Sequence, residues 1–259
     1  MRFAACKRFR QANACKKNVR FDFIMTLVSK LDKIFYHGIS NRWDDLLLRE
    51  EILKYLKQEM IVLDLGAGAG IIPEMNFRGK AKKIYGLDPD KRVTSNPFLD
   101  SSVCSTAEEM SFESEMFDMI ICQNVMEHIE KPELMLTQVK RVLKNGGLFI
   151  VKTPNRNHYV SLGARITPLK FHQWYNQLRG REEEDTFKTF YHFNSKLAQK
   201  KFIDDAGLKT VSINFFERRP EYLRLNPLTY LIGIGYERTV NILNLDACKA
   251  VMISVFRKP

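Results

Sequence analysis

Ile61-Val62-Leu63-Asp64-Leu65 is a short, mostly apolar run of branched and bulky residues that stops abruptly at Gly66, the pattern of a strand buried on both faces. Comparable runs recur at Ile84–Asp88, Phe117–Cys122, Leu148–Val151, Leu208–Phe216 and Lys249–Phe256. Between them the spacing of apolar positions lengthens to that of a helix. Residues 132–143 place Met135, Val139 and Val142 on one face behind Pro132, and Ser195 can cap a helix holding Leu197, Lys201, Phe202 and Ala206 that stops at Gly207. Short apolar strands alternating with amphipathic helices predict an α/β fold around a largely parallel sheet. Residues 225–236 are apolar but weakened as a helix by Gly233 and Gly235. Tyr236, Val240 and Leu243 continue that stretch at helical spacing, which assigns it to core packing; a membrane-docking patch or a lipid-tail site is the competing reading.

The first strand runs into Gly66-Ala67-Gly68-Ala69-Gly70, and Asp88 follows the last glycine by 18 residues at the end of the second strand. Three glycines at alternate positions let the backbone turn tightly and let a ligand approach it closely. A carboxylate at the end of the second strand can accept both hydroxyls of an adenosine ribose. The dinucleotide fingerprint G-x-G-x-x-G is not met, because its third glycine position holds Ile71. Asp64, two residues before the first glycine, would repel a pyrophosphate and suits a cationic ligand.

V-L-D-L-G-A-G-A-G resembles the first motif of the class I S-adenosyl-L-methionine (SAM)-dependent methyltransferases, and Y-G-L-D-P-D their second. Residues 117–128, F-D-M-I-I-C-Q-N-V-M-E-H, resemble the fourth motif, and residues 105–112 the stretch that holds the adenine. Thr106 stands where the family often has Asp, so Glu108 or a backbone carbonyl would have to meet the adenine amino group. The resemblance covers residues 46–156 or so and is closest to the ubiquinone/menaquinone-biosynthesis type. It implies a Rossmann-like three-layer sandwich with a seven-stranded, mostly parallel sheet whose last strand is antiparallel, and the apolar runs named above supply six of the seven strands. It also implies SAM as cofactor and S-adenosyl-L-homocysteine as product. On the matching positions, Asp64 and the Gly66, Ala67, Gly68 and Gly70 loop would face the methionine portion, Asp88 the ribose, Ala107 and Glu108 the adenine edge, and Asn124 the sulfonium.

At 259 residues with 45% hydrophobic side chains the chain can bury one sizeable core, expected over residues 25–259. No apolar run reaches the roughly 20 residues that cross a bilayer. Five cysteines without C-x-x-C spacing argue against a disulfide framework or a zinc site, and reduced, cytoplasmic surroundings are the expectation, with peripheral membrane contact kept open. Of the net charge of +11, residues 1–24 carry +6 through seven bases and one acid. Such an arm reads as a disordered extension, or else as an RNA-binding tail, a membrane-surface anchor or an organelle presequence.

Residues 155–194 are dense in aromatics and bases and read as an insertion after the fifth strand, a lid over the methyl acceptor. The acidic run Glu182-Glu183-Glu184-Asp185 within it reads as a solvated loop, and no ligand set for a metal can be assembled. The fourth motif carries Gln123-Asn124-Val125-Met126 in place of the N-P-P-Y type tetrapeptide, which favours oxygen or carbon acceptors over a nucleobase amine. Methyl transfer is an in-line displacement that mainly needs alignment and exclusion of water, with a base for a hydroxyl acceptor. His128 and His158 are the candidates for that base. The expected enzyme methylates a small-molecule, lipid or saccharide acceptor; an RNA methyltransferase and a non-catalytic SAM-binding scaffold are the alternatives.

Overall fold

The computed structural model describes residues 25–166 and 188–259. The basic arm and residues 167–187 of the predicted lid, with Trp174 and the acidic run, lie outside the described residues. Seven strands form one sheet in the order β3-β2-β1-β4-β5-β7-β6. They are β1 (Ile61–Leu65), β2 (Lys83–Asp88), β3 (Ser101–Cys104), β4 (Phe117–Gln123), β5 (Leu143–Pro154), β6 (Lys209–Phe216) and β7 (Val251–Arg257). The first five pair in parallel, and β7 lies antiparallel between β5 and β6. The sheet expected from the sequence, including its antiparallel last strand, is therefore the sheet observed.

The strands read as nearly unbroken apolar runs because both faces are covered. Leu63, Leu65, Ile120, Cys122, Phe149 and Val151 face one side, where they meet Met135, Leu136, Val139 and Val142 of α3 (Pro132–Val142) and Ile203 of α5 (Lys196–Asp205). Val62, Ile84, Met119, Ile121 and Ile150 face the other and meet Leu48 and Ile52 of α2 (Trp43–Leu53). The alternation follows from the two-residue repeat of a strand. The predicted caps hold locally: Ser195 Oγ accepts from the Ala198 amide at 3.3 Å, and Pro132 opens α3. Strand β5 begins five residues before the apolar run at Leu148, because Leu143 already pairs with Phe117 across a register shift.

The described residues gather into two compact units. The larger comprises residues 44–216 and 245–259 and holds the sheet; the smaller combines residues up to Trp43 with 217–244. The smaller has its own core, in which Val28 and Tyr36, from and just after helix α1 (residues 25–35), pack with Tyr230 and Ile234 of α6 (Pro227–Ile242). Ion pairs close it: Asp32 accepts from Arg224 and from the Tyr230 hydroxyl, and Tyr36 donates to Glu237 at 3.1 Å. Asn226 caps α6 by accepting from the amides of Leu228 and Thr229, both at 3.0 Å. Gly233 is set by a close approach, since a Cβ there would stand 2.8 Å from the Pro220 side chain. The expected core role of this helix holds for Tyr230, Ile234 and Val240, but Leu243 is 61% exposed.

Candidate active site

The carboxyl ends of β1 and β2 are joined by the glycine loop. Gly66 and Ala67 donate backbone hydrogen bonds to Leu87 O at 2.7 and 3.3 Å, and Gly68 N donates to Asp88 Oδ2 at 2.9 Å. Asn96 Nδ2 holds the other side, donating to Ala67 O at 2.9 Å and Gly68 O at 3.2 Å. Gly66, Gly68 and Gly70 all take positive φ, at 83°, 49° and 71°. Their surroundings differ. A Cβ at Gly66 would lie 2.1 Å from Val125 Cγ2 and one at Gly70 would lie 2.2 Å from Asn96 Oδ1, whereas one at Gly68 would meet nothing within 4 Å. The outer glycines let the loop close onto the protein, and the middle one leaves backbone open to a ligand.

Asp88 braces the loop and keeps acceptor capacity. Its Oδ2 braces the loop and its Oδ1 accepts from Asp90 N at 2.8 Å, yet each carboxylate oxygen has a second lone pair for a ribose hydroxyl. Asp64, at the carboxyl end of β1, is only 8% exposed and accepts no hydrogen bond from the described residues. Burial, with a contribution from the Asp88 charge, pushes its carboxyl up to about 7. A buried carboxyl without a donor is costly unless a ligand supplies one. A cationic or ammonium group fits that need, so the pocket suits the methionine end of SAM. Ala107 is buried in the core cluster, and Glu108 is half-buried beside it. Asn124, directly after β4, is exposed at φ 53°, and its amide donates to Lys152 O at 2.8 Å.

Lys152 was not singled out by the sequence reading. It pairs with Gln123 across β4 and β5 and is fully buried. Its Nζ donates to Asp44 Oδ2 at 2.6 Å and to Asp45, whose Oδ1 also accepts from Gln123 Nε2 at 2.5 Å. Burial pushes the Asp45 carboxyl up while Lys152 pulls it back. This cluster ties the first turn of α2 to the carboxyl edge of the sheet, on the same face as Asp64 by strand parity.

The two candidate bases occupy different settings. The Nδ1 of His128 lies 2.8 Å from Lys188 O; a carbonyl can only accept, so Nδ1 carries the proton and Nε2 is the nitrogen able to take one. His158 is buried with its ring 4.1 Å from that of Tyr159, at the start of α4 (Tyr159–Ile166). The two ends of the insertion are pinned together. Arg156 N donates to Asn194 O at 2.8 Å, and Asn194 Nδ2 donates to Thr153 Oγ1 at 2.5 Å and Pro154 O at 3.0 Å. Thr153 in turn donates to the buried Glu127 at 3.0 Å, and Glu127 O accepts from Phe190 N at 2.7 Å. The fourth motif and the stem of the insertion are thus one hydrogen-bonded network. A cleft of about 410 Å³ lined by Lys140, Arg141, Asp205 and Lys258 lies at the opposite, amino edge of the parallel strands. Its Arg141 is already committed to Phe112 O and Met110 O, at 2.6 and 2.7 Å. No group of three or more metal-ligating side chains occurs among the described residues.

A parallel sheet with an antiparallel β7 between β5 and β6, a glycine loop after β1 and an acid after β2 defines the class I methyltransferase fold. The chain belongs to the methyltransferase-domain family, whose model matches residues 35–213. A ubiquinone biosynthesis O-methyltransferase of Rhizobium etli is 34% identical over 103 residues, 37% of this chain and 41% of that protein. The mitochondrial enzyme of that name from Rattus norvegicus is 31% identical over 136 residues, 44% of this chain and 39% of that protein. The match thus spans about two-fifths of the length of these relatives. An uncharacterized protein of Methanocaldococcus jannaschii is 27% identical over 207 residues, 80% of this chain and 76% of its own. Among solved structures, a SAM-dependent methyltransferase from Aquifex aeolicus superposes with a TM-score of 0.51 at 16% identity, over 91% of this chain and 98% of that one. Haemonchus contortus phosphoethanolamine N-methyltransferase 2, in complex with S-adenosylhomocysteine, has a TM-score of 0.52 at 14% identity, over 91% of this chain and 57% of that one. These two likenesses establish the fold.

Three outcomes follow from the buried charges. A raised folded-state carboxyl contributes stability that is present below its unfolded value near 3.8 and lost as pH rises towards 7, so Asp64→Asn should raise the melting temperature of the ligand-free protein at pH 8 and leave it nearly unchanged at pH 4. For a cationic ligand the same group gives affinity that rises with pH, by at most about tenfold per unit below 7, and Asp64→Asn should flatten that slope in calorimetric titrations. Lys152→Met leaves Asp44 and Asp45 uncompensated and should cost about 3–5 kcal/mol in urea unfolding, with much of the loss restored when Asp45→Asn is added.

Proposed function

We propose that the protein transfers a methyl group from SAM to an oxygen of a small-molecule or lipid-type acceptor. The observation that carries this reading is the buried Asp64 carboxyl, which lacks a hydrogen-bond donor and sits beneath a glycine loop whose middle position is open. In this reading Asp64 takes the ammonium of the methionine portion, Gly68 lies against it, Asp88 takes the ribose hydroxyls, and Asn124 stands beside the sulfonium. Glu108 and the Ala107 backbone meet the adenine edge. SAM supplies a methyl group made electrophilic by its sulfonium, so the chain itself has to bind, orient and keep water out. The network from Glu127 through Thr153 to Asn194 holds the stem of the insertion against the fourth motif, which fixes where an acceptor enters. His128, with its proton held on Nδ1 by Lys188 O, offers Nε2 to the acceptor hydroxyl.

Oxygen is preferred over carbon because the ubiquinone-biosynthesis relatives are named as O-methyltransferases. Transfer to RNA is the second reading, resting on the seven bases of residues 1–24.

Protein incubated with methyl-labelled SAM and cell extract should place label in the organic or small aqueous fraction; label released by RNase would replace this reading with the second. Asp88→Ala should weaken SAM binding by about 1–3 kcal/mol through lost charge-assisted hydrogen bonds and the lost loop brace, measured by calorimetry. Unchanged affinity would show that the cofactor lies elsewhere.

A further inference from the structure

Strand β5 carries Phe149 and Val151 on the face covered by α3, and Thr153 is the next residue of the same parity, fully buried. A valine has the same branched shape, so the hydroxyl is what sets this position apart. That hydroxyl joins two other buried polar side chains: Thr153 Oγ1 donates to Glu127 Oε2 at 3.0 Å and accepts from Asn194 Nδ2 at 2.5 Å. Burial pushes the Glu127 carboxyl up, and the hydroxyl is among the groups that hold it down. Two further links run from the same place. Glu127 O accepts from Phe190 N at 2.7 Å and from Tyr191 N at 3.3 Å, and Lys188 O accepts the His128 Nδ1 proton at 2.8 Å. Residues 127 and 128 are thus laced to residues 188–191, and the far end of that segment, Asn194, returns to Thr153. Inside the loop so closed, Tyr191 is held at φ 56°, a left-handed conformation that costs an aromatic residue energy and persists only where its surroundings fix it.

We propose that Thr153 is a positioning residue, whose hydroxyl fixes segment 188–194 through Glu127 and Asn194 so that Lys188 O keeps the His128 proton on Nδ1 and leaves Nε2 for the acceptor. The inference rests on the reading of His128 as the base. Without the hydroxyl Glu127 loses a donor and Asn194 an acceptor, in a setting where an unmet polar group is costly, and both side chains shift to find new partners. The strained backbone at Tyr191 then relaxes and carries Lys188 O away from the imidazole. Which ring nitrogen holds the proton is set by the hydrogen bond that the other end of the chain offers it, so the tautomer reports the position of Lys188 O directly. A network that only stabilised the fold would lower the melting temperature on losing the hydroxyl and leave that tautomer as it is.

The test is a long-range proton–nitrogen NMR spectrum of the full chain with nitrogen-labelled histidine, taken above the imidazole titration range, with His128→Gln assigning the signal. The wild type should carry the proton on Nδ1. Thr153→Val should turn this into a comparable mixture of the two tautomers, and Thr153→Ser, which keeps the hydroxyl, should restore it. Asn194→Ala should act as Thr153→Val does and serves in its place if the valine variant does not fold. A wild-type proton on Nε2 would overturn the proposal, as would an unchanged Nδ1 tautomer in either folded variant. Transfer of label from methyl-labelled SAM into cell extract should fall by about tenfold or more in Thr153→Val, with SAM affinity by calorimetry changed by less than about twofold. A shifted tautomer with undiminished transfer would uphold the positioning and strike His128 as the base, so the two readings fail separately.

Discussion

The hydrogen bond from Gly68 N to Asp88 Oδ2 decides how the ends of β1 and β2 are used. Parallel strands leave their carboxyl ends side by side, and the loop after β1 has to fold back over the end of β2 to form a cradle. The amides of Gly66 and Ala67 begin that fold on Leu87 O, and the Asp88 side chain completes it. The loop can follow only because its outer glycines accept contacts that any Cβ would fill, against Val125 and Asn96. One carboxylate therefore shapes the cradle, and in the proposed reading it also forms part of the binding surface. Loss of Asp88 therefore removes the brace of the loop as well as any ligand contact that the carboxylate makes in the proposed reading.

Around this cradle the same edge handles three further acids. Asp44 and Asp45 share one ammonium, and Glu127 takes a hydroxyl from Thr153 while burial pushes its carboxyl up. These groups are met by the protein itself and serve to join elements: α2 to β5 in one case, the fourth motif to the insertion stem in the other. Each link ties a neighbouring segment to a strand end that cannot move without disturbing the sheet.

What could be read from the sequence follows from how local each constraint is. Buried parallel strands announce themselves because both faces demand apolar side chains, and the glycine loop because no other residue tolerates its φ values. The edge strand β3, Ser101-Ser102-Val103-Cys104, has little such signature, since only one side pairs and its residues are not fully buried. Lys152 was passed over because it stands at the polar end of an apolar run, and its partners Asp44 and Asp45 lie 108 and 107 residues away. No periodicity connects such positions. Helix α6 was legible as a helix with core packing and an exposed apolar patch as competing roles, but not which of its apolar residues takes which. Spacing alone assigns leucines to a core, and only the packed unit shows which of them the core leaves out.

Asp64 differs in kind from the other buried acids. Lys152 shows that this chain can place a cation beside a carboxylate at this same edge, on the same face of the sheet, and Gln123 shows that it can add a neutral donor. Neither is supplied to Asp64. In the ligand-free protein that omission costs stability at neutral pH, because ionising the group in its buried setting is disfavoured. A ligand carrying its own positive charge reverses the balance: it stabilises the ionised carboxylate, and the cost of burial becomes a preference for cations over neutral or anionic competitors. In the proposed reading the same acid disfavours a pyrophosphate at the glycine loop. Selectivity for a cationic adenosine derivative, in that reading, thus comes from a partner that the fold withholds, beside a loop whose middle glycine is open.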